Sequence, residues 1–401
     1  MTDAVIVATA RTPIGRAGKG SLKDMRPDDL SARAIEAVLD KVPGLDRTEI
    51  EDVLWGCGQP AVEAGHNIGR VAAVLAGLDN VPGVTVNRYC SSSLMTIRMA
   101  EHAIKAGDGE VFVAGGVEAI SRNQMHLQLA DGPKNPIFEA AELRSLERSA
   151  GGAAVWSAPE GLPDIYLAMG QTAENVAQFK NVSREDQDEF AVRSQNLAEE
   201  SLNSGFWAAE ITPLETPDGV VSQDDGIRPG TTLEKVSGLG PAFRPDGTVT
   251  AANACPLNDG AAAVVVMSAE KAKALGLTPL ARIVSSAATG LNPEIMGMGP
   301  VEAVRKALGR AGMGIDDIDL FEINEAFAAQ VLPSARDLGI PMEKLNTRGG
   351  SIALGHPFGM TGARIMTTLI HNLQESDKTF GVETMCVGGG QGMAMVVERL
   401  S

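Results

Sequence analysis

Asp319-Leu320-Phe321-Glu322-Ile323-Asn324 repeats a pattern met far upstream in Asp52-Val53-Leu54-Trp55-Gly56-Cys57: an acidic residue, a short strand, then a turn where side chains emerge. A second echo accompanies it. The short strand and helix around Cys90 match the segment from Leu345, through a loop at His356, into a helix over Gly362 to Leu373. A pattern that recurs in order argues for a duplicated core, two similar halves packed together. Such packing brings corresponding strand ends close, and open α/β sheets bind ligands at the carboxyl ends of their strands. Cys90, Asn324, His356 and Cys386 all stand at such ends, so the question is whether they meet.

Outward from these echoes, apolar runs and turn signals predict alternating strands and helices. Ala4 to Ala8 reads as a buried strand, and a helix follows with Asp28 as its cap and Leu30, Ala34, Val38 and Leu39 as its apolar stripe. Val53 to Gly56 is a strand, His66 to Leu75 a helix, and Val84 to Val86 a strand ending at Asn87. Beyond Cys90 the pattern is helical through Lys105, and Val111 to Ala114 is a strand closed by Gly115-Gly116. This alternation predicts a parallel sheet covered on both faces. From 121 to 250 the chain is richer in turns, such as Pro217-Asp218-Gly219, and reads as an inserted loop domain. Within it, Ser183-Arg184-Glu185-Asp186 opens a helix to Asn203 as a relative of the capping box. The expected organisation is therefore 1–120 as the first half of the core, completed by 251–270, then 121–250 as the loop domain and 271–401 as the second half.

Composition narrows the function. In 401 residues, 44% apolar and 21% charged, 34 Lys and Arg face 51 Asp and Glu, a net charge of −17. A chain this acidic is not built to coat nucleic acid or an anionic membrane, so an anionic ligand needs a few placed cations. Cys57, Cys90, Cys255 and Cys386 lack both zinc-ligand spacing and the density of a disulfide scaffold. Reduced thiols in a cytoplasm are expected, with no signal peptide, no membrane-length apolar run, no persuasive peroxisomal address and no metal.

Four segments could carry chemistry. Cys90, in Asn87-Arg88-Tyr89-Cys90-Ser91-Ser92-Ser93, lies between a strand and a helix, where unpaired N–H groups favour thiolate. It reads either as a nucleophile or as a small buried thiol. His356, in Gly355-His356-Pro357, is aimed by a tight turn and could take a proton from a thiol, or be a hydrogen-bonded loop residue. Cys386 ends a strand and runs into Val387-Gly388-Gly389-Gly390-Gln391-Gly392, whose glycines leave N–H groups for a negative oxygen. A dinucleotide-binding turn fails on context, because Met393 to Val397 is a strand and not a helix. Asn324, in Asn324-Glu325-Ala326-Phe327, is either a helix N-cap or an amide that positions an oxyanion.

Together, and in this order, the four motifs resemble the thiolase family over nearly the whole chain. The resemblance implies a five-layered α/β/α/β/α core of two similar halves with the loop domain over an acyl-CoA. It implies Cys90 as the acylated nucleophile, His356 as the base and Cys386 as the group exchanging the α-proton of the acetyl unit. Asn324, through a water, and His356 would form one oxyanion hole, and the N–H groups of Cys90 and Gly388 the other. Asn324 also stands where related condensing enzymes carry a second histidine. Coenzyme A would be a co-substrate with no permanent cofactor, and the assembly a homodimer or homotetramer. Carbon–carbon cleavage beside a thioester needs an enolate met by preorganised donors, a proton carrier and an acyl carrier, and one cysteine cannot serve as both carriers.

Departures from the family pattern bear on substrate. Ala168-Met169-Gly170 replaces the His-Met-Gly common in short-chain biosynthetic members, which removes a bulky polar group near the acyl site. Cys255 stands where many members have Ser, against the pantetheine, and Arg348 where Asn is usual. Arg228 sits where the family places an arginine against the nucleotide of coenzyme A, so the resemblance implies that contact, or else it forms a surface ion pair. Met169 and Phe327 are the remaining candidate binding residues. The expected activity is cleavage of 3-oxoacyl-CoA to acetyl-CoA and a shortened acyl-CoA, or the reverse condensation, in fatty-acid β-oxidation. Alternatives are a short-chain acetoacetyl-CoA thiolase, a non-catalytic acyl-CoA-binding protein that would lack one of Cys90, His356 or Cys386, and a thiol redox protein.

Overall fold

A computed structural model describes residues 2–123 and 134–401. The main strands and helices of the first half are β1 (Ala4–Arg11), α1 (Pro27–Leu39), β2 (Asp52–Cys57), α2 (Ile68–Leu75), β3 (Gly83–Val86), α3 (Ser92–Ala106) and β4 (Val111–Ala119). After α4 (Met169–Phe179) and α5 (Arg184–Asn203), β5 (Asn258–Ser268) completes it. The second half runs β6 (Ala281–Gly290), α6 (Gly299–Ala311), β7 (Leu320–Ile323), α7 (Ala328–Leu338), α8 (Thr361–Glu375), β8 (Phe380–Val387) and β9 (Gln391–Arg399).

The duplication is visible in strand order. One half reads β3-β2-β4-β5-β1, and the other β7-β8-β9-β6, with a bridge from Phe321 to Leu345 in the place β3 holds in the first. Val5 pairs with Arg282 and Ile6 with Ala281, which joins the halves into one ten-stranded sheet that includes a short Gly15–Arg16 strand beside β5. The expected parallel sheet is corrected to a mixed one. Among the described residues only the strand pairs β2–β3, β2–β4 and β7–β8 run parallel, while β5 and β9 are antiparallel to both of their main neighbours. β9 has no alternative, because the three-glycine turn after β8 is too short for a crossover.

Alternate residues along β5 separate the layers. Val264 and Val266 face inward with Leu94 and Ile97 of α3 and Met366 and Leu369 of α8. Val265 and Met267 face outward onto Ile35 and Val38 of α1 and Ala72 of α2. In the second half Val304 of α6 and Val331 of α7 cover Phe321 and Val396. The result is five layers, helices outside both half-sheets and α3 and α8 sandwiched between them. Each buried Val, Leu or Ile contributes about 1.5–3 kcal/mol. Among the described residues no helix is long and apolar enough to cross a membrane.

Local readings hold with instructive exceptions. The capping box at α5 is present, with Ser183 Oγ accepting from the Asp186 N–H at 3.0 Å. Asp28, however, is not the cap of α1. Arg26 precedes Pro27 at the first helical position, and the Asp28 carboxylate in the first turn accepts from Arg26 at 2.9 and 2.8 Å. Nor does β4 stop at its glycines; it continues to Ala119, because Gly116 admits the backbone of Gly359, whose oxygen would lie 2.2 Å from a Cβ there. Asn324 is no helix cap either, since α7 opens after Phe327.

The central helices approach closely at Gly362, where a Cβ would stand 2.3 Å from the Leu94 nitrogen, and Ser93 Oγ accepts from the Ala363 N–H at 2.9 Å. Gly362→Ala should therefore lower the free energy of unfolding by about 1–3 kcal/mol through overpacking. Thermal unfolding of the variant beside wild type measures it, and an unchanged midpoint would mean that the two helices have room to part.

Candidate active site

Three sulfurs share one buried region. Cys90 lies in a short turn, Tyr89–Ser91, just before α3, and is 8% exposed. Tyr89 takes the left-handed region at φ 43°, an uncommon conformation for an aromatic residue, and its ring packs beside the Gly388–Gly389 turn. That turn donates the Gly388 N–H to the Cys90 sulfur. Cys386, near the end of β8, is fully buried, and charge on Cys90 and then Cys255 is felt at its sulfur. Cys255 is held beside them, its N–H donating to the Ala326 oxygen at 3.1 Å next to the Ala254–Phe327 bridge.

The thiols are not the thiolates that a helix terminus alone favours. Burial pushes Cys90 up to about 11, outweighing the N–H groups of Gly388 and of Cys90 itself, and pushes Cys386 well above the ordinary thiol range. Cys90 is therefore a thiol at neutral pH and needs a base to become nucleophilic.

His356 supplies a neutral imidazole. It is buried, and burial with the Arg364 charge pushes it down to about 3. Its backbone N–H donates to Asn258 Oδ1 at 3.0 Å, and its ring Nδ1 stands 2.6 Å from Thr361 Oγ1. The Thr361 hydroxyl donates its one proton to the Pro357 oxygen at 2.8 Å, so Nδ1 must carry the hydrogen and Nε2 the lone pair. Asn324 Nδ2 is 3.2 Å from that Nε2. Cys90 belongs to the same apolar cluster as Leu354 and Met360, which flank His356.

Glu118, in the apolar strand β4, ties this region together and had no signal beyond a lone acid in an apolar run. It is buried, pushed up to about 7, and accepts from the N–H groups of Gly58 at 2.9 Å, Gln59 at 3.2 Å and Gly359 at 2.9 Å. A carboxylate of the first half thus clamps the loop that carries His356. Thr361, Asn258 and Ser351 were likewise invisible in advance, because their roles are set by partners distant in the chain.

The binding candidates divide. Met169, at the start of α4, packs with Phe327, Ala254 and Cys386, and Phe327 meets Phe243 edge-on at 6.1 Å. Ala168 lines an open cleft of about 820 Å³ with Leu143, Leu146, Tyr166 and Leu167. Arg228 is exposed and forms no ion pair among the described residues, while its N–H donates to Gln195 Oε1 at 2.8 Å. Arg348 points away from this chemistry, lying 4.6 Å over the Phe206 ring and donating to Asn372 Oδ1 at 2.9 Å.

Comparison with known proteins gives the family of the whole chain. The chain matches the family models "Thiolase, N-terminal domain" over residues 4–270 and "Thiolase, C-terminal domain" over 277–399. It is 47% identical to a 3-ketoacyl-CoA thiolase of Aeromonas hydrophila subsp. hydrophila, with 100% of each chain covered. It is 46% identical to a 3-ketoacyl-CoA thiolase of Bacillus subtilis, covering 99% of this chain and 100% of that one. Among solved structures, the Bacillus anthracis acetyl-CoA acetyltransferase superposes with a TM-score of 0.85 at 39% identity, covering 100% of this chain and 99% of the other.

Alkylation tests the protonation states. Because the Cys90 thiol sits near about 11, its reactive fraction should climb roughly tenfold per pH unit through neutral and alkaline pH. His356, already neutral above about 3, should add no step near the ordinary imidazole range. Mass spectrometry of iodoacetamide-labelled Cys90 across pH measures this, and a step near pH about 6.5 would reveal an imidazolium–thiolate pair instead.

Proposed function

The chain belongs to the thiolase family, and on that premise we propose that it transfers an acyl group between Cys90 and coenzyme A, cleaving 3-oxoacyl-CoA to acetyl-CoA and a shortened acyl-CoA. The enzyme is an acyltransferase, with coenzyme A as substrate. What supports the assignment of residues is that charge on Cys90 is felt at Cys386, that Asn324 contacts His356, and that a Cβ at Gly58 would lie 2.9 Å from Phe358 and 3.4 Å from Tyr89, so the segments carrying the histidine and the nucleophile adjoin.

His356 Nε2 takes the Cys90 proton, and the thiolate attacks the β-carbonyl of the substrate. The bond between the α-carbon and that carbonyl breaks, its electron pair passing into the enolate of acetyl-CoA. Cys386, protonated by virtue of its burial, gives its proton to the α-carbon and releases acetyl-CoA. The proton held by His356 passes to the Cys386 thiolate, which restores both groups. The coenzyme A thiol then yields its proton to neutral His356 and attacks the Cys90 thioester, and the departing Cys90 sulfur takes that proton back as a free thiol. Oxyanions are met on one side by the N–H groups of Cys90 and Gly388 and on the other by His356 and a water held by Asn324. Donors placed in a dry site are each worth several kcal/mol.

The segment 121–250 forms the loop domain over the acyl-CoA, its residues 124–133 lying outside the described ones. Arg228, an exposed cation in an acidic chain, meets the nucleotide, and Cys255, Met169 and Phe327 line the path to the sulfurs. With the small Ala168 beside an open cleft that Leu143, Leu146 and Leu167 share with Glu139, Glu142 and Asp164, a broad acyl range suits degradation of fatty acyl chains. We place the enzyme in the cytoplasm, where its four free thiols stay reduced, as a homodimer or homotetramer.

Cys90→Ser should abolish the acyl-enzyme seen by intact-protein mass spectrometry, while Cys386→Ala should keep it and slow exchange of the acetyl-CoA α-protons in heavy water by about 10²–10⁴-fold. Acylation persisting in the first variant, or unchanged exchange in the second, refutes the respective role. Chain length separates the two thiolase readings: turnover of four-, eight- and twelve-carbon 3-oxoacyl-CoA is expected, and an enzyme confined to the four-carbon ester is an acetoacetyl-CoA thiolase.

A further inference from the structure

An amide has two ends that a protein must tell apart, and the backbone around Asn324 does not do it. The Asn324 N–H donates to the Thr384 oxygen at 2.9 Å, and its carbonyl accepts from Gln330 Nε2 at 2.6 Å. Both contacts anchor the main chain and leave the side-chain amide free to turn by half a rotation. One orientation presents NH₂ to the cavity; the other presents a carbonyl oxygen, which would face the His356 Nε2 lone pair and repel any oxyanion.

We propose that Ser351, held by Arg364, is a positioning residue that decides which end of the Asn324 amide faces the cysteine cavity. Ser351 Oγ lies 2.7 Å from Asn324 Oδ1, and Arg364 Nη2 lies 2.8 Å from Ser351 Oγ. All three side chains are buried, Ser351 completely. A guanidinium has five donors and no acceptor, so the Ser351 oxygen must accept from Arg364 and its one proton must go onward. Asn324 Oδ1 takes that proton, which turns Nδ2 toward His356. Reversing the amide would set NH₂ against a hydroxyl that already accepts, and would leave the serine proton without an acceptor in a site closed to water. The order of donors is therefore one-way, from a cation to a hydroxyl to an amide to an imidazole.

Arg364 suits this duty because little else holds it. Its Nε and Nη1 have no hydrogen-bonding partner among the described residues, and the opposing carboxylates of Glu322 and Glu383 are felt as charge without closing on it. Among the described residues, Ser351 is the one side chain to which it is hydrogen-bonded.

The inference rests on the reading of Asn324 as an oxyanion donor, and a four-protein cycle separates the two. Wild type, Ser351→Ala, Asn324→Ala and the double variant are assayed with acetoacetyl-CoA and coenzyme A, each kcat being divided by the amount of Cys90 that acetylates in an intact-mass titration. Removing one oxyanion-hole donor outright lowers kcat by about 10²–10³, so loss of its orientation in Ser351→Ala should lower kcat by about tenfold, with KM changed by less than about twofold. The double variant should be no slower than Asn324→Ala, because a residue acting through another adds nothing once that other is gone. Multiplicative losses in the double variant, or a Ser351→Ala kcat equal to wild type per acylatable Cys90, overturn the positioning role. An Asn324→Ala enzyme as fast as wild type overturns the reading of Asn324 on which it stands.

Discussion

The close contact of α3 with α8 is the constraint on which the active region depends. Cys90 sits just before α3 and His356 just before α8, so the distance between the two helices decides whether the two side chains can serve one substrate. That distance is set by a hydrogen atom in place of a side chain at Gly362, against the Leu94 nitrogen, and by the Ser93 hydroxyl that accepts from Ala363. Both half-sheets then press inward on this pair with Val264, Ile6, Met385 and Met395. A larger residue in the layer would move Cys90 away from His356, and the proposed reaction would be sensitive to misplacements of about 1 Å.

What the packing excludes is as important as what it joins. With water kept out, the Cys90 and Cys386 sulfurs hold their protons and His356 does not acquire one. The two sulfurs and the imidazole are therefore themselves uncharged at rest, although the Arg364 charge reaches His356, and in the proposed reaction new charge arises where fixed N–H donors already wait for it. This arrangement avoids the cost of reorganising solvent at the moment of bond breaking. The conflict between a helix terminus that favours thiolate and burial that favours thiol is won by burial because the sulfur is nearly closed off, 8% exposed.

The motifs were legible because each combines a reactive residue with turn chemistry that must expose it: Cys90 before a run of serines, His356 between Gly355 and Pro357, Cys386 before three glycines. The duplicated halves were legible in the repeated strand patterns. Protonation was not, since it depends on what covers a sulfur and not on its neighbours in sequence. Nor was the direction of the sheet strands, because an apolar run looks the same in either sense; only the brevity of the turn into β9 carried that information. Glu118, Thr361 and Ser351 escaped notice for a different reason. A carboxylate or hydroxyl gains its meaning from a distant partner, and nothing in the local pattern names that partner.

Register turns the Glu118 clamp into a statement about the whole molecule. In one half Gly56 pairs with Gly116, and in the other Ile323 pairs with Thr384, which makes the residues two places further along, Glu118 and Cys386, occupants of the same address. The scaffold thus offers this position twice and furnishes it differently, once with an acid that braces a neighbouring loop and once with a thiol. Symmetry of the backbone does not extend to the side chains: in the proposed reaction one copy of the frame carries the proton donor, while the sister address braces the loop that holds the histidine.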